Sequence, residues 1–206
     1  GTFILFLWSC RFCCGVFSPP PAVPLEVFWV DYNIKKCKMN VSAIRAIKEK
    51  SMEIRLATIR EIPGMIDLLL QVGEVHHKIR PDLFRAGAQK YDEAALTELL
   101  KDPNRPIFAA VEGDKLLGYC FCIVEITKDH PVLMDQKSLY IDDLCVDENT
   151  LGKHVGSALY DYALRYAKEI GCDTLTLNVW CGNDSAMAFY ESRGLKPRNI
   201  HMEAKL

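Results

Sequence analysis

The stretch from residue 138 to residue 180 constrains the fold of this chain more than any other part of its sequence. SLYIDDLCVDE (138–148) reads as a strand, and a long amphipathic segment follows it as far as Gly171. A second strand-like segment, DTLTLNVW (173–180), comes directly after that glycine, which is typical of a helix C-terminal cap. Two strands joined by one helix in the same sheet are parallel, with a right-handed crossover. The sequence therefore predicts a β-α-β unit here.

The rest of the chain predicts a mixed sheet, because it does not repeat that unit. The hairpin signal is strongest in PIFAAVEGDKLLGYCFCIVEIT (106–127), where two apolar runs flank the turn residues Glu112, Gly113 and Asp114. The other predicted elements are a strand at 53–58, helices at 60–77, 91–102 and 184–193, and a last strand, NIHMEAK, at 199–205. The predicted order is β α α β β β α β α β, which is an α/β fold with a mixed sheet.

The first fifty residues differ from the rest in composition. Their apolar run is too short to span a bilayer and leads into a proline cluster, without the pattern of a signal peptide. We expect residues 1–51 to be a leader that is non-native or disordered, with Met39 or Met52 as a natural start. Residues 52–206 are expected to form one domain.

Charge and cysteine content restrict the partners and the compartment. A formal net charge of -2 and a pI near 6.2 argue against binding to nucleic acid or to an anionic membrane. The nine cysteines lie mostly in apolar segments, which favours reduced thiols in a cytoplasmic protein over disulfides. Cys10 and Cys13 form a lone CxxC pair, and the adjacent His76 and His77 lack a third ligand, so no metal site is expected.

The segment ENTLGKHVGSAL (148–159) runs from the end of a strand into a helix. Gly152, Lys153 and Gly156 suit a phosphate group, since a helix N-terminus offers free N–H groups and glycines allow close approach. A solvent-exposed helix start is an equally good interpretation of this spacing. The segment matches neither a dinucleotide-binding fingerprint nor a Walker loop.

A later segment, NVWCGNDSAMAFYESRGLKP (178–197), decides between these two interpretations. It resembles the second motif of the GNAT (Gcn5-related) N-acetyltransferase family, N-x-x-A-x-x-F-Y-x-x-x-G-F/L. The matching residues are Asn183, Ala186, Phe189, Tyr190, Gly194 and Leu195. In the family's coenzyme A motif, Leu144, Val146 and Gly156 match, whereas Leu151 replaces an Arg or Gln and His154 replaces the first glycine. The resemblance covers about 52–206.

This resemblance implies the GNAT fold, with a central mixed, mostly antiparallel sheet flanked by helices, and acetyl-CoA as the co-substrate. It implies that the strand through Leu144, Cys145 and Val146 splays from its neighbour and pairs with the pantetheine arm. The residues then expected to bind the cofactor's pyrophosphate, mainly through the backbone, are Gly152, Lys153, His154, Val155, Gly156 and Ser157. By the same resemblance Asn183 contacts the cofactor, and Tyr190 is the general acid for the departing thiolate.

The acceptor side of the site is less specific in sequence. Strand alternation puts Asp142 and Asp143 on opposite faces, so only one of them would enter the cleft. Asp142, two residues before Leu144, is the expected general base through a water relay, and Asp143 is expected to contact substrate. His77 and Phe84 are further candidates for the acceptor site, and Glu125 is a weaker one.

The expected function is therefore transfer of an acetyl group from acetyl-CoA to a primary amine, by direct attack in a ternary complex. A covalent route through Cys145 is disfavoured because no histidine is visibly paired with it. The acceptor would be a small-molecule amine or a protein amine. The alternatives are a non-catalytic acyl-CoA-binding or sensor module on the same fold and, more remotely, a plain interaction domain. Members of this family often form homodimers, a state that the sequence does not decide.

Overall fold

The computed structural model of the protein describes residues 51–150 and 152–206, and Met52–Leu206 belong to one compact unit. Of the expected leader, only Ser51 belongs to the described residues. Cys10, Cys13 and Leu151 lie outside them. The five cysteines that the structure describes are all free thiols.

Within the described residues, five strands form a single sheet in the order β1-β2-β3-β4-β5. The pairs β1–β2, β2–β3 and β3–β4 are antiparallel, and the pair β4–β5 is parallel. The predicted mixed, mostly antiparallel sheet is therefore confirmed. The strands are β1 (Glu53–Leu56), β2 (Ile107–Glu112), β3 (Lys115–Thr127), β4 (Gln136–Val146) and β5 (Thr174–Leu177). The helices are α1 (Ile62–Ile79), α2 (Glu93–Leu99), α3 (Val155–Glu169) and α4 (Asp184–Ser192).

Local sequence signals fix the ends of these elements. Thr58 and Glu61 form a capping box ahead of α1, and the Asp92 side chain accepts a hydrogen bond from the Ala95 N–H at the start of α2. Gly171, with φ 72°, ends α3 in the left-handed conformation that glycine adopts freely. The predicted β-α-β crossover and the hairpin at Gly113 are both present.

The sheet is covered on both faces, each by its own apolar cluster. On one, the α3 face, buried residues of the sheet such as Phe108, Leu139 and Ile141 pack with Leu159 of α3. On the other, the α1 face, α1 and α2 pack against Tyr119, Phe121 and Cys145. Burial of these residues is the main source of stability for the fold.

A β-bulge in β4 overturns one sequence expectation. Phe121 pairs with Asp143, but the next residue, Cys122, pairs with Ile141, so Asp142 is the extra residue. Ile141 belongs to the α3 face, whereas Cys145 belongs to the α1 face, which strict alternation along one strand would forbid. The expectation that Asp142 and Asp143 point to opposite faces is therefore wrong, because the bulge turns both toward the α1 face.

The predicted last strand at 199–205 is also wrong. Residues 195–206 have no strand or helix, and Ile200 and Met202 are exposed. An alternating pattern becomes a strand only where a neighbouring edge pairs with it, and within the described residues no strand does so.

The helices of residues 51–150 and 152–206 were also compared with the length and hydropathy that a membrane span requires. None of them meets both requirements.

Candidate active site

The site lies where β4 and β5 part. Their parallel pairing ends at Ile141 and Leu177, although β4 continues to Val146. Over residues 142–146, the edge of β4 that faces away from β3 therefore has no strand partner within the described part of the chain. This opening joins the α1 face to the α3 face and leaves backbone N–H and C=O groups available to a ligand.

Two carboxylates stand at the bulge, at the edge of this opening. The Tyr119 hydroxyl donates to Asp143 Oδ2 over 3.0 Å. Burial raises the pKa of the Asp143 carboxyl to about 6, although the Tyr119 hydrogen bond and the charge of Lys90 act in the opposite direction. The residue is still half-buried, so part of it remains accessible. A carboxyl of this pKa can take a proton near neutral pH more readily than an ordinary aspartate.

Asp142 has a different environment. Its Oδ2 accepts a hydrogen bond from Lys90 Nζ at 2.7 Å, and the Tyr91 hydroxyl lies 3.4 Å from the same oxygen. The Asp142 side chain is 15% exposed and that of Lys90 is 45% exposed. Asp142 therefore lies at the mouth of the site, paired with the Lys90 side chain.

Tyr190 approaches from the other face of the sheet. It lies on α4 and packs against the α3 face, with its ring 5.1 Å from that of Phe189 and 6.2 Å from that of Tyr160. Burial, followed by the neighbouring Cys120 and Asp143, raises the pKa of the Tyr190 hydroxyl above its usual range. The phenol therefore stays protonated at any working pH and can donate a hydrogen bond.

The residues that hold α4 in place are those of the second motif. The Asn183 side chain caps the helix, because its Oδ1 accepts hydrogen bonds from the Ala186 N–H at 3.2 Å and the Ser185 hydroxyl at 3.1 Å. Gly194 follows the helix with φ 85°. The match of Asn183 to the motif thus has a structural reason, and the cap uses its Oδ1 but not its amide nitrogen.

The loop before α3 has the conformation of an anion-binding helix start. Gly152 has φ 82°, and His154 is the N-cap with φ 54° and no side-chain capping bond. The first backbone bond onto the helix runs from the Ala158 N–H to the His154 carbonyl, so the N–H groups of residues 155–157 have no intrahelical acceptor. The positive φ explains why the family motif has glycine at position 154, and histidine is one of the residues that enter this region more often than most.

Three expected cofactor contacts are restricted by other interactions. The Val155 side chain is buried in the core, so only its backbone faces the loop. Lys153 Nζ donates to Glu112 Oε2 at 2.8 Å, which partly neutralises its charge. Gly156 packs beside β4, since a Cβ there would be in ordinary van der Waals contact with Val146 at 3.5 Å and with Leu144 at 3.9 Å.

Cys145 lacks the properties of a nucleophile. It is buried on the α1 face, and its thiol lies 3.5 Å from the Leu68 carbonyl. Burial, with Asp143 next, raises the pKa of this thiol to about 12. A thiolate would be rare at neutral pH, which weighs against a covalent intermediate.

The segment after α1 contacts the loop after β5. His77 Nδ1 lies 2.7 Å from the Phe84 carbonyl oxygen, and the Phe84 ring packs at 5.1 Å against Trp180. The structure therefore brings Phe84 to the same side of the molecule as the end of β5. Glu125 instead accepts a hydrogen bond from Ser138, further along the β3–β4 hairpin.

Sequence reasoning missed three residues of the site. Tyr119 lies in an uninterrupted apolar run, where a tyrosine reads as core, and only its contact with Asp143 reveals a further role. Lys90 lies in the connector between α1 and α2, and its pairing with Asp142 leaves no signal in the sequence. Trp180, which is 42% exposed, could have been noticed as a large aromatic residue in a loop beside the second motif.

The sequence and the fold of this chain are similar to those of known proteins. The sequence model of the acetyltransferase (GNAT) family matches residues 73–195. The chain belongs to the GNAT acetyltransferase family. Mutants of the BH1408 protein from Bacillus halodurans share 30% and 29% identity, each with a TM-score of 0.71, over 75% of this chain and 99% of theirs.

A more distant structure has the same fold. An aminoglycoside acetyltransferase from an uncultured soil metagenomic sample shares 22% identity over 75% of this chain and 96% of its own, with a TM-score of 0.56. No curated protein matches this chain significantly. Family membership supports acyl transfer as the general activity of the GNAT domain.

Proposed function

We propose that this protein transfers the acetyl group of acetyl-CoA to a primary amine by direct attack in a ternary complex. The observation that carries the proposal is the meeting of two carboxylates and a protonated tyrosine at the opening between β4 and β5. Asp142 and Asp143 come from the α1 face, and Tyr190 comes from the α3 face. A proton acceptor and a proton donor thus lie on opposite sides of the gap that a thioester would enter.

The residues around the opening fit acetyl-CoA as the co-substrate. The unpaired edge of β4 at Leu144, Cys145 and Val146 offers backbone groups to an extended amide-bearing arm. The N-terminus of α3, with Gly152, Gly156 and Ser157, offers N–H groups and a partial positive charge to the pyrophosphate. A Cβ on Gly152 would have no atom of the described residues within 4 Å, so among these residues nothing fills this side of the loop.

The acceptor amine must lose a proton before it attacks. At pH 7 a lysine-like amine reaches the neutral form at a cost of about 4.6 kcal/mol. The raised pKa of Asp143 supports this residue as the proton acceptor, directly or through one water molecule, with Asp142 binding the ammonium group. This assignment exchanges the roles that the sequence indicated, because a base of pKa about 6 lowers the cost of proton transfer by about 3 kcal/mol relative to an ordinary aspartate.

The transfer itself then needs no further nucleophile. The neutral nitrogen attacks the thioester carbon and becomes cationic as the C–N bond forms, and the C–S bond then breaks. The surplus proton of that nitrogen leaves through water and replaces the proton that Tyr190 gives to the sulfur, so that a neutral amide and a free thiol result. The Tyr190 hydroxyl donates a hydrogen bond to the departing sulfur and supplies its proton as the thiolate develops. Because the pKa of Tyr190 is raised, it is a weak acid, and we expect stabilisation of the sulfur to contribute more than early proton transfer.

A thiol-release assay with acetyl-CoA and a panel of primary amines tests the proposal. We expect turnover with at least one amine and a decrease in kcat of about 10²-fold or more in Tyr190→Phe. Tyr162→Phe is the matched control, since the Tyr162 ring packs at a tilt against Phe108 in the α3-face core, 4.9 Å between centroids. Full turnover in Tyr190→Phe would rule out the acid role.

One observation favours a second candidate, a non-catalytic acyl-CoA-binding module. Lys153 is paired with Glu112, His154 replaces a motif glycine and Leu151 replaces a cationic or amide residue, so the pyrophosphate site differs from the family pattern. Tight equilibrium binding of acetyl-CoA without thiol release on any amine would favour this module over the enzyme.

A further inference from the structure

A primary ammonium group of the protein itself occupies the mouth of the candidate active site. Lys90 Nζ donates to Asp142 Oδ2 at 2.7 Å and lies 5.4 Å from the centroid of the Tyr91 ring. Asp143 attracts the same ammonium group electrostatically. A carboxylate, an aromatic face and a second negative charge are the groups that bind an alkylammonium ion in proteins.

The two partners of this ion pair differ in exposure and in the local structure that holds them. Asp142 is held in the bulge of β4, and its side chain is only 15% exposed. Lys90 is 45% exposed and lies in the connector 80–92, which has turns and bends but no helix or strand. Another ammonium ion can therefore replace Lys90 if only the exposed lysine side chain moves. The Asp142 carboxylate need not change its position.

Charge balance decides what can replace Lys90. If the lysine left alone, Asp142 would lose its partner while standing next to Asp143 in the sequence and on the same face of the sheet. Two neighbouring carboxylates without a cation repel each other, and desolvation adds to that cost. A neutral or anionic molecule cannot compensate for this loss, but a second alkylammonium ion can.

We propose that Lys90 occupies the binding position of the acceptor substrate. The acceptor is then an alkylammonium compound that displaces Lys90 from Asp142. The inference rests on the proposed function and names its substrate class, which is a primary amine at the end of an unbranched alkyl chain. Lys90 has this chemistry itself, and so do a diaminoalkane and a lysine side chain of another protein. Lys90 then sets specificity by competing with every acceptor and by excluding those that carry no positive charge.

Isothermal titration calorimetry tests this directly, with coenzyme A present and absent. The probes are 1,5-diaminopentane, a short peptide with one lysine and a blocked N-terminus, and acetate as an anionic control. Lys90→Met keeps the alkyl stem but removes the ammonium group, and Lys90→Gln is a second variant in case the first folds poorly. Lys101→Met is the matched control, because Lys101 pairs with Glu98 on the surface away from the site.

We expect the Kd of 1,5-diaminopentane or of the peptide to fall about tenfold in both Lys90 variants and to stay unchanged in Lys101→Met. A tenfold change corresponds to a site that Lys90 occupies about nine-tenths of the time. Tighter binding of the diamine alone identifies a small-molecule acceptor, and tighter binding of the peptide alone identifies a protein lysine.

Equal or weaker binding of both amines in the Lys90 variants would overturn the proposal, as would tighter binding of acetate to the unaltered protein than of either amine. These measurements do not depend on turnover. A protein that binds amines in the expected way but releases no thiol from acetyl-CoA would contradict the proposed enzyme activity and leave the role of Lys90 intact.

Discussion

Asp143→Asn offers a quantitative test of the site, because the structure links the environment of this carboxyl to the free energy of unfolding. The pKa of Asp143 is about 6 in the folded protein, whereas an aspartate in an unfolded chain has a pKa near 3.9. The folded state therefore binds a proton more tightly than the unfolded state. The stability that this gives is complete below about pH 4 and is lost as the pH rises through 6.

The magnitude follows from the same difference. About two pKa units correspond to about 3 kcal/mol, which is an upper value because the half-buried residue keeps some contact with water. Asparagine carries no charge and can still accept the Tyr119 hydrogen bond through its carbonyl oxygen. We therefore expect Asp143→Asn to be more stable than the unaltered protein by about 2–3 kcal/mol at pH 8 and to show little difference at pH 4.

Urea unfolding at pH 4.5, 6, 7 and 8, followed by circular dichroism, measures this dependence. The matched control is Asp142→Asn, which removes the partly exposed ion pair with Lys90 together with the charge of the carboxylate and should change stability by about 0–1 kcal/mol, without the rise from pH 4.5 to pH 8 expected of Asp143→Asn. The stabilised Asp143 variant should also lose most of its thiol-release activity if Asp143 takes the amine proton. A stability gain that does not vary with pH, or a loss at pH 8, would refute the assigned electrostatic environment of Asp143.

Three further predictions concern neighbouring residues. Tyr119→Phe removes a hydrogen bond that lowers the pKa of Asp143. The acidic limb of the kcat/KM profile should therefore move to higher pH by about half to one unit. An unchanged limb would show that Tyr119 does not affect the proton transfer by Asp143. Gly118→Ala should destabilise the domain by about 1–3 kcal/mol in urea unfolding, because its Cβ would lie 2.8 Å from the Cys145 carbonyl oxygen. Iodoacetamide should label the exposed Cys181 in the native protein well before the buried Cys145, as judged by peptide mass spectrometry. Equal labelling rates would contradict the burial of Cys145.

The elements that sequence predicted correctly are those that depend on local periodicity. The hairpin at Gly113 follows from turn residues between two apolar runs, and the β-α-β unit follows from a capped amphipathic helix between two strand-like segments. Neither needs information about distant residues. The incorrect last strand failed for the opposite reason, because Ile200 and Met202 alternate correctly but no described strand pairs with them.

The candidate site was predictable only in part for the same physical reason. The sequence could single out Tyr190 and Asn183 as candidates because their motif lies within one short helix and its cap. The pairing of Lys90 with Asp142 joins residues 52 positions apart, and the contact of Tyr119 with Asp143 joins two strands. Local patterns do not specify such contacts, which depend on the register between elements.

The bulge in β4 connects the failed expectation with the proposed chemistry. A regular strand would have placed Asp142 and Asp143 on opposite faces, so that only one carboxylate could enter the opening. The extra residue turns both toward the α1 face, where one carboxyl is buried enough for a raised pKa and the other is exposed enough to bind a cation. His154 is a comparable case, since its φ of 54° is unfavourable for a side chain yet opens the helix N-terminus. Both departures from regular structure cost stability, and both lie where a ligand would bind. Prediction from regular strand and helix patterns is therefore expected to fail first at this site. The proposed chemistry needs a geometry that a regular strand or helix cannot provide.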